Sequence, residues 1–139
     1  MSLEENKNLV RRYQDAYNTN RLDDLAEVVA ADVLTPNIIA GMSPGLEGAK
    51  AVHQTTLRGM PDYHTEIEDL IAEGDKVAAR VRITGTHTGV FWGVAPTGKR
   101  INLTGMYIVR IADGKIVEHW GEENGLTVFR QLGFKIQLE

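Results

Sequence analysis

The spacing of apolar residues changes character once along this chain. Before about Met60 they recur mostly at helical intervals; from Tyr63 onward they alternate with polar residues. Ser2 and Glu5 match a capping box, and Leu9, Val10, Tyr13, Ala16 and Tyr17 carry an amphipathic helix as far as Asn18-Thr19-Asn20. A second short helix is predicted from Leu22 to Ala30, with Leu22, Leu25, Val28 and Val29 as its buried stripe and Asp23-Asp24 at its amino end. Val33-Leu34-Thr35 reads as a short strand, broken by Pro36-Asn37 and resumed at Ile38-Ile39. A third helix follows from about Leu46, its stripe made by Val52, His53, Thr56, Leu57 and Met60, and Pro61 ends it.

The second half reads as a meander. Tyr63 to Ala72 and Lys76 to His87 are strands joined at Glu73-Gly74-Asp75, with Val77, Ala79, Val81, Ile83, Gly85 and His87 on the core face and Arg80 and Arg82 facing out. Arg100 to Ile111 is a long strand with Ile101, Leu103, Gly105, Tyr107, Val109 and Ile111 as its apolar row. It turns at Asp113-Gly114 into a last strand opening at Ile116. Leu126, Phe129 and Leu132 then predict a terminal helix stopped by Gly133. The expected architecture is one α+β domain over 1–139, helices in front of a curled antiparallel sheet.

Chemistry concentrates on the last strand. Strict alternation puts Ile116, Glu118, Trp120, Glu122 and Asn124 on one face and Val117, His119, Gly121 and Glu123 on the other, unless Gly121 marks a bulge. A carboxylate beside a buried Trp120 loses water, and its pKa rises toward general acid/base use. The alternative is a strand leaving the core with solvated glutamates. His87, at the inner end of its strand, either satisfies a buried partner or points into a cavity. His53 reads as a hydrogen-bonded structural residue. Phe91 and Trp92, in the glycine-punctuated stretch from Thr88 to Gly98, cap a pocket, meet a second subunit or fold back on their own domain.

Composition narrows the classes. A formal charge of -4 argues against nucleic acid, and no apolar run is long enough to cross a bilayer. With no cysteine there is no disulfide or thiolate site, and the polar, acidic start predicts a cytoplasmic protein. The four histidines, His53, His64, His87 and His119, lack metal-ligand spacing, and no GxSxG elbow or phosphate-binding glycine pattern is present. No metal and no cofactor are expected.

Several runs together resemble a known family. They are Pro61-Asp62, Glu73-Gly74-Asp75, Gly85-Thr86-His87-Thr88-Gly89, Pro96-Thr97-Gly98-Lys99-Arg100, Arg110-Ile111-Ala112-Asp113-Gly114-Lys115-Ile116, and Glu118-His119-Trp120-Gly121-Glu122 through Gln131-Leu132-Gly133. In order and spacing they resemble the SnoaL-like polyketide cyclases, also labelled ester cyclases. The resemblance implies an NTF2-like cone with a deep apolar pocket, assembled as a homodimer or homotetramer. It also implies ring closure by intramolecular aldol condensation without metal or cofactor: a pocket aspartate takes an acidic carbon-bound proton, the enolate attacks a carbonyl, and the proton returns to the new alkoxide. That aspartate lies four residues after the tryptophan, where this chain has Asn124, and Pro36-Asn37 stands where the family carries a histidine. An amide cannot take up a proton at neutral pH.

The expected pocket is lined by Tyr13, Tyr17, Asn37, Leu57, His87, Tyr107, Trp120, Glu122 and Asn124, with Phe91 and Trp92 at its mouth. In the first reading the protein is a cofactor-free enzyme acting on a small hydrophobic carbonyl compound. Glu122 is its base, His87 a hydrogen-bond partner or oxyanion donor, Asn124 an orienting amide and Trp120 a desolvating wall. Whether Glu122 or Glu123 faces the pocket is left open. A second reading is a non-catalytic pocket for an apolar ligand, and a third is an epoxide hydrolase or hydroxylase-like variant of the same fold.

Overall fold

A computed structural model describes residues 1–36 and 41–137. Helix α1, Leu3–Asn18, opens with the expected box: the Glu5 amide donates to Ser2 Oγ (3.1 Å), and the Ser2 amide donates to the Glu5 carboxylate (2.7 Å). Leu9, Val10 and Ala16 form its buried side. At its far end the Asn18 side chain exchanges two hydrogen bonds with the Thr65 backbone, at 2.8 and 3.0 Å. The amide thereby pairs backbone groups that an edge strand would otherwise leave unmatched.

Leu22–Glu27 is a 3-10 turn rather than the first part of a helix running to Ala30, and strand β1 already occupies Val29–Leu34. Adjacent β-branched residues explain the difference. Val28 and Val29 are both buried, and the Val28 carbonyl accepts from the Ile116 amide (2.8 Å), so sheet pairing overrides the helical spacing. The strand expected to resume at Ile38-Ile39 lies outside the described residues. Helix α2 spans Gly45–Gly59.

Strands β2 (His64–Glu73), β3 (Lys76–Thr86), β4 (Arg100–Ala112) and β5 (Lys115–Glu123) form an antiparallel meander, and α3 (Gly125–Gln131) closes the chain. The sheet order is β1-β5-β4-β3-β2, and β1 runs parallel to β5. The sheet is therefore mixed at one edge rather than wholly antiparallel. The inner row of β3 alternates as its pattern predicts, with Val77, Ala79, Val81 and Ile83 buried. Their partners on β4 are Val109, Tyr107, Gly105 and Leu103. Val77, Val109 and Ile111 belong to the packed end of the core, while Val81, Ile83, Ile101 and Leu103 line a hollow toward the other end.

Candidate active site

The hollow has a volume of about 570 Å³, a size suited to a drug-sized organic molecule. Helix α1 contributes Tyr13, Gln14, Tyr17 and Asn18, and α2 contributes Ala49, Val52, His53 and Thr56. The sheet supplies the opposite wall. All four tyrosines of the chain, Tyr13, Tyr17, Tyr63 and Tyr107, line this one space. Phe91 and half-exposed Trp92 reach it from the segment between β3 and β4.

A bulge decides which groups of β5 enter the hollow. Ile111 pairs with Ile116, but Arg110 pairs with Glu118, so Val117 is an extra residue on β5. Counting restarts there. Ile116 is fully buried, and beyond the bulge His119, Gly121 and Glu123 take the inner positions opposite Val109, Tyr107 and Gly105. Glu118 and Trp120 face outward. The expected alternation placed a possible bulge at Gly121; the bulge lies four residues earlier, and it swaps the two sets of side chains.

Aromatic rings form a continuous row through the site. His53 sits 4.8 Å from Tyr17 and Tyr17 5.1 Å from Tyr13, both edge-on, while His119 stacks on Tyr107 at 4.9 Å and lies 5.9 Å from Tyr13. Tyr107 donates to Gln14 Oε1 at 3.2 Å. Burial pushes the phenol of Tyr17 up to about 12 and those of Tyr13, Tyr63 and Tyr107 well above the usual value. Burial also lowers the His119 pKa to about 4, against a small opposing pull from its own backbone, so the ring is neutral at pH 7. His53 is lowered for the same reason, and its buried Nε2 has no partner among the described residues.

Glu122 and Glu123 both line the cavity, and Glu123 comes to it from the inner face of β5. Solvent reaches Glu123 at the rim, yet the surrounding walls remove enough water to raise its pKa above the ordinary carboxylate value. The space beneath it exists because Gly105 and Gly121 present no side chain on the inner face. What results is a largely apolar, aromatic cavity that holds the Glu123 carboxyl together with neutral imidazoles and protonated phenols.

Several expected site residues are placed elsewhere. Trp120 is 48% exposed on the outer face, and its Nε1 donates to Glu118 at 3.3 Å. The carboxylate beside that tryptophan is consequently lowered in pKa rather than raised, first by its hydrogen bond from Arg110 and then by the indole. Glu122 pairs with exposed Met106 on the outer face by register, yet both are among the residues that line the cavity, as expected for Glu122. Asn124 is the N-cap of α3, its Oδ1 accepting from the Thr127 amide at 3.1 Å, and it does not line the cavity. Leu57 lies on the other side of α2, in a shallow groove with Leu22 and Arg58.

His87 is fully buried behind the wall. Its Nδ1 accepts from the Thr97 amide (3.3 Å) and lies 3.0 Å from the Thr97 hydroxyl, which leaves the proton on Nε2 for the Val94 carbonyl at 3.2 Å. It ties down the segment that carries Phe91 and Trp92. Asn37 lies outside the described residues. Tyr13, Tyr17, Tyr107, Phe91 and Trp92 line the cavity as expected. The sequence reasoning omitted His119, His53, Tyr63 and Gln14 from the site and left Glu123 open against Glu122; the signal for His119 and Glu123 was the inner face opposite Trp120, which the bulge selects.

The comparisons with known proteins agree with this geometry. The family model described as SnoaL-like polyketide cyclase matches residues 7–132. The aklanonic acid methyl ester cyclase DnrD of Streptomyces peucetius is 34% identical over 129 residues, covering 90% of this chain and 88% of that protein. The nogalonic acid methyl ester cyclase of Streptomyces nogalater is 34% identical over 125 residues, covering 85% and 90%. Among solved structures, TsrD from Streptomyces laurentii superposes with a TM-score of 0.87 at 28% identity, covering 96% of this chain and 98% of that one. With its helix-backed five-stranded sheet and cavity, the chain is an NTF2-like α+β domain and belongs to the SnoaL-like polyketide cyclase family.

Proposed function

We propose that the cavity closes a ring in a hydrophobic polycarbonyl compound by intramolecular aldol condensation, and that Glu123 is its acid/base. The observation that carries this reading is the inward Glu123 carboxyl with its raised pKa. A carboxylate short of water is a stronger base than one in bulk solvent, and a carbon flanked by two carbonyls is acidic enough to meet it. The C–H bond breaks and its proton passes to Glu123. The enolate carbon forms a bond to a carbonyl carbon within the same molecule, and the resulting alkoxide takes the proton back. The residues needed are one base, donors for the developing charge, and walls that hold two parts of a flexible chain together.

Glu123 thus replaces both the expected Glu122 and the family aspartate position, Asn124. No step calls for a metal or redox cofactor. Incubation with aklanonic acid methyl ester, the compound named for the relatives, tests the reading: a cyclised product of unchanged mass supports it, and unchanged starting material opposes it. One observation favours the non-catalytic alternative, namely that the position of the family aspartate is used here as a helix cap.

A homodimer in the cytoplasm completes the proposal. Register places Ile71, Ala78, Ile108 and Trp120 in a single row across the outer face of β2, β3, β4 and β5, and Ile71, Ile108 and Trp120 are exposed. An apolar stripe of this extent favours cover by a second copy.

A further inference from the structure

Between β3 and β4 the chain makes a tight hairpin turn at the cavity mouth. Phe91 and Val94 exchange both backbone hydrogen bonds, at 3.0 and 2.9 Å, around Trp92 and Gly93, whose φ angles are 48° and 83°. Positive φ at both central residues is a demand that glycine, asparagine and aspartate meet most easily. Gly93 meets it freely. Trp92, a bulky residue, adopts it against the clash of its own β-carbon with the backbone.

The surroundings hold the turn in that form. The Gly59 carbonyl at the end of α2 accepts from the Thr88 and Gly89 amides, at 3.1 and 3.0 Å, and the Val94 carbonyl accepts from His87 Nε2 at 3.2 Å. A β-carbon on Gly89 would stand 2.0 Å from the Arg58 carbonyl oxygen, and one on Gly59 would stand 2.6 Å from Phe91 Cβ, so the segment lies directly on the helix end. The two aromatic residues are then used differently. Phe91 packs against the core, its ring edge-on to His87 at 6.0 Å. Trp92 is 37% exposed, lines the cavity, and makes no ring-to-ring contact among the described residues. Backbone strain of this kind clusters at ligand clamps and active sites.

We propose that Trp92 is a specificity-determining residue whose indole is held at the cavity mouth to stack on a flat, conjugated ring of the substrate. The proposal rests on the ring-closure reading and narrows its substrate class from hydrophobic polycarbonyl compounds to planar, conjugated ones. A flat π-face laid on the indole gains offset-stacking contact that a puckered ring of the same carbon count cannot make.

1-Naphthol and decahydro-1-naphthol share a carbon skeleton and a hydroxyl but differ in flatness. Calorimetric titration of each into wild type, Trp92→Leu and Trp92→Gly tests the assignment. Wild type is expected to bind 1-naphthol the more tightly, and both variants to lose about 5-fold or more of that preference. Leucine keeps an apolar side chain on the same strained backbone, whereas glycine suits the turn and removes the side chain. Preference retained in either variant overturns the proposal, as does the absence of saturable 1-naphthol binding in wild type. A variant that changes oligomeric state while keeping the preference assigns the ring to a subunit contact and overturns it likewise. In the ring-closure assay KM is expected to rise about 5-fold or more in Trp92→Leu with kcat within a few-fold of wild type; unchanged KM overturns the proposal. A wild type that fails to cyclise but shows the Trp92-dependent preference contradicts the ring-closure reading and leaves the stacking assignment standing.

Discussion

Glu123 lies directly opposite Gly105, and a β-carbon built on that glycine would stand 3.4 Å from Glu123 Cγ and 3.3 Å from the Glu122 carbonyl oxygen. The side chain of one residue uses the space that the other leaves empty. Gly105→Val would fill that space and push the carboxylate off its position. Turnover is expected to fall at least about 10-fold, since small displacements of a catalytic group are costly. Extra volume at this buried position also costs about 1–3 kcal/mol of stability, so the melting temperature should fall by several degrees. Steady-state kinetics and a thermal melt on the same preparation check both expectations.

How much of this was legible in the sequence depends on whether a local pattern survives the tertiary context. The capping box of Ser2 and Glu5, the alternation from Val77 to Ile83 and the Asp113-Gly114 turn are local, and they stand as read. The bulge at Val117 is not local. It arises because Ile116 must be buried beside Ile111 while Glu118 pairs with Arg110, a demand set by the neighbouring strand. One inserted residue exchanges Trp120 and Glu122 for His119 and Glu123, so the chemistry of the strand was visible while its facing was not. His87 shows the same division: its inward direction follows from alternation, but the closing contacts of Thr97 and Val94 come from a glycine-rich segment with no periodicity.

The half-buried His119 makes acid stability predictable. Its folded pKa of about 4 lies below the unfolded value, so the ring's contribution is fully present above about pH 6.5. It is lost as pH falls from there toward 4, because the unfolded chain binds the proton first. The loss amounts to at most roughly 3 kcal/mol. Urea midpoints for His119→Phe should decline less steeply than wild type between pH 6.5 and 4; parallel curves would mean that the ring titrates normally.

Asn124 is assigned a structural task. Asn124→Ala removes the hydrogen bond to the Thr127 amide and should cost about 1 kcal/mol of stability. Denaturant unfolding measures that cost, and turnover per folded molecule should stay within a few-fold of wild type. A large loss of kcat with intact stability would place Asn124 in the chemistry instead.

The account stands on which of two adjacent glutamates transfers the proton. Aklanonic acid methyl ester turnover by Glu122→Gln and Glu123→Gln, each measured across pH, tests this most directly. Glu123→Gln is expected to lose about 100-fold or more in kcat/KM. Glu122→Gln should keep near wild-type activity, with an acidic limb whose midpoint lies above the ordinary carboxylate value. Full activity in Glu123→Gln, or its loss in Glu122→Gln alone, would contradict the account.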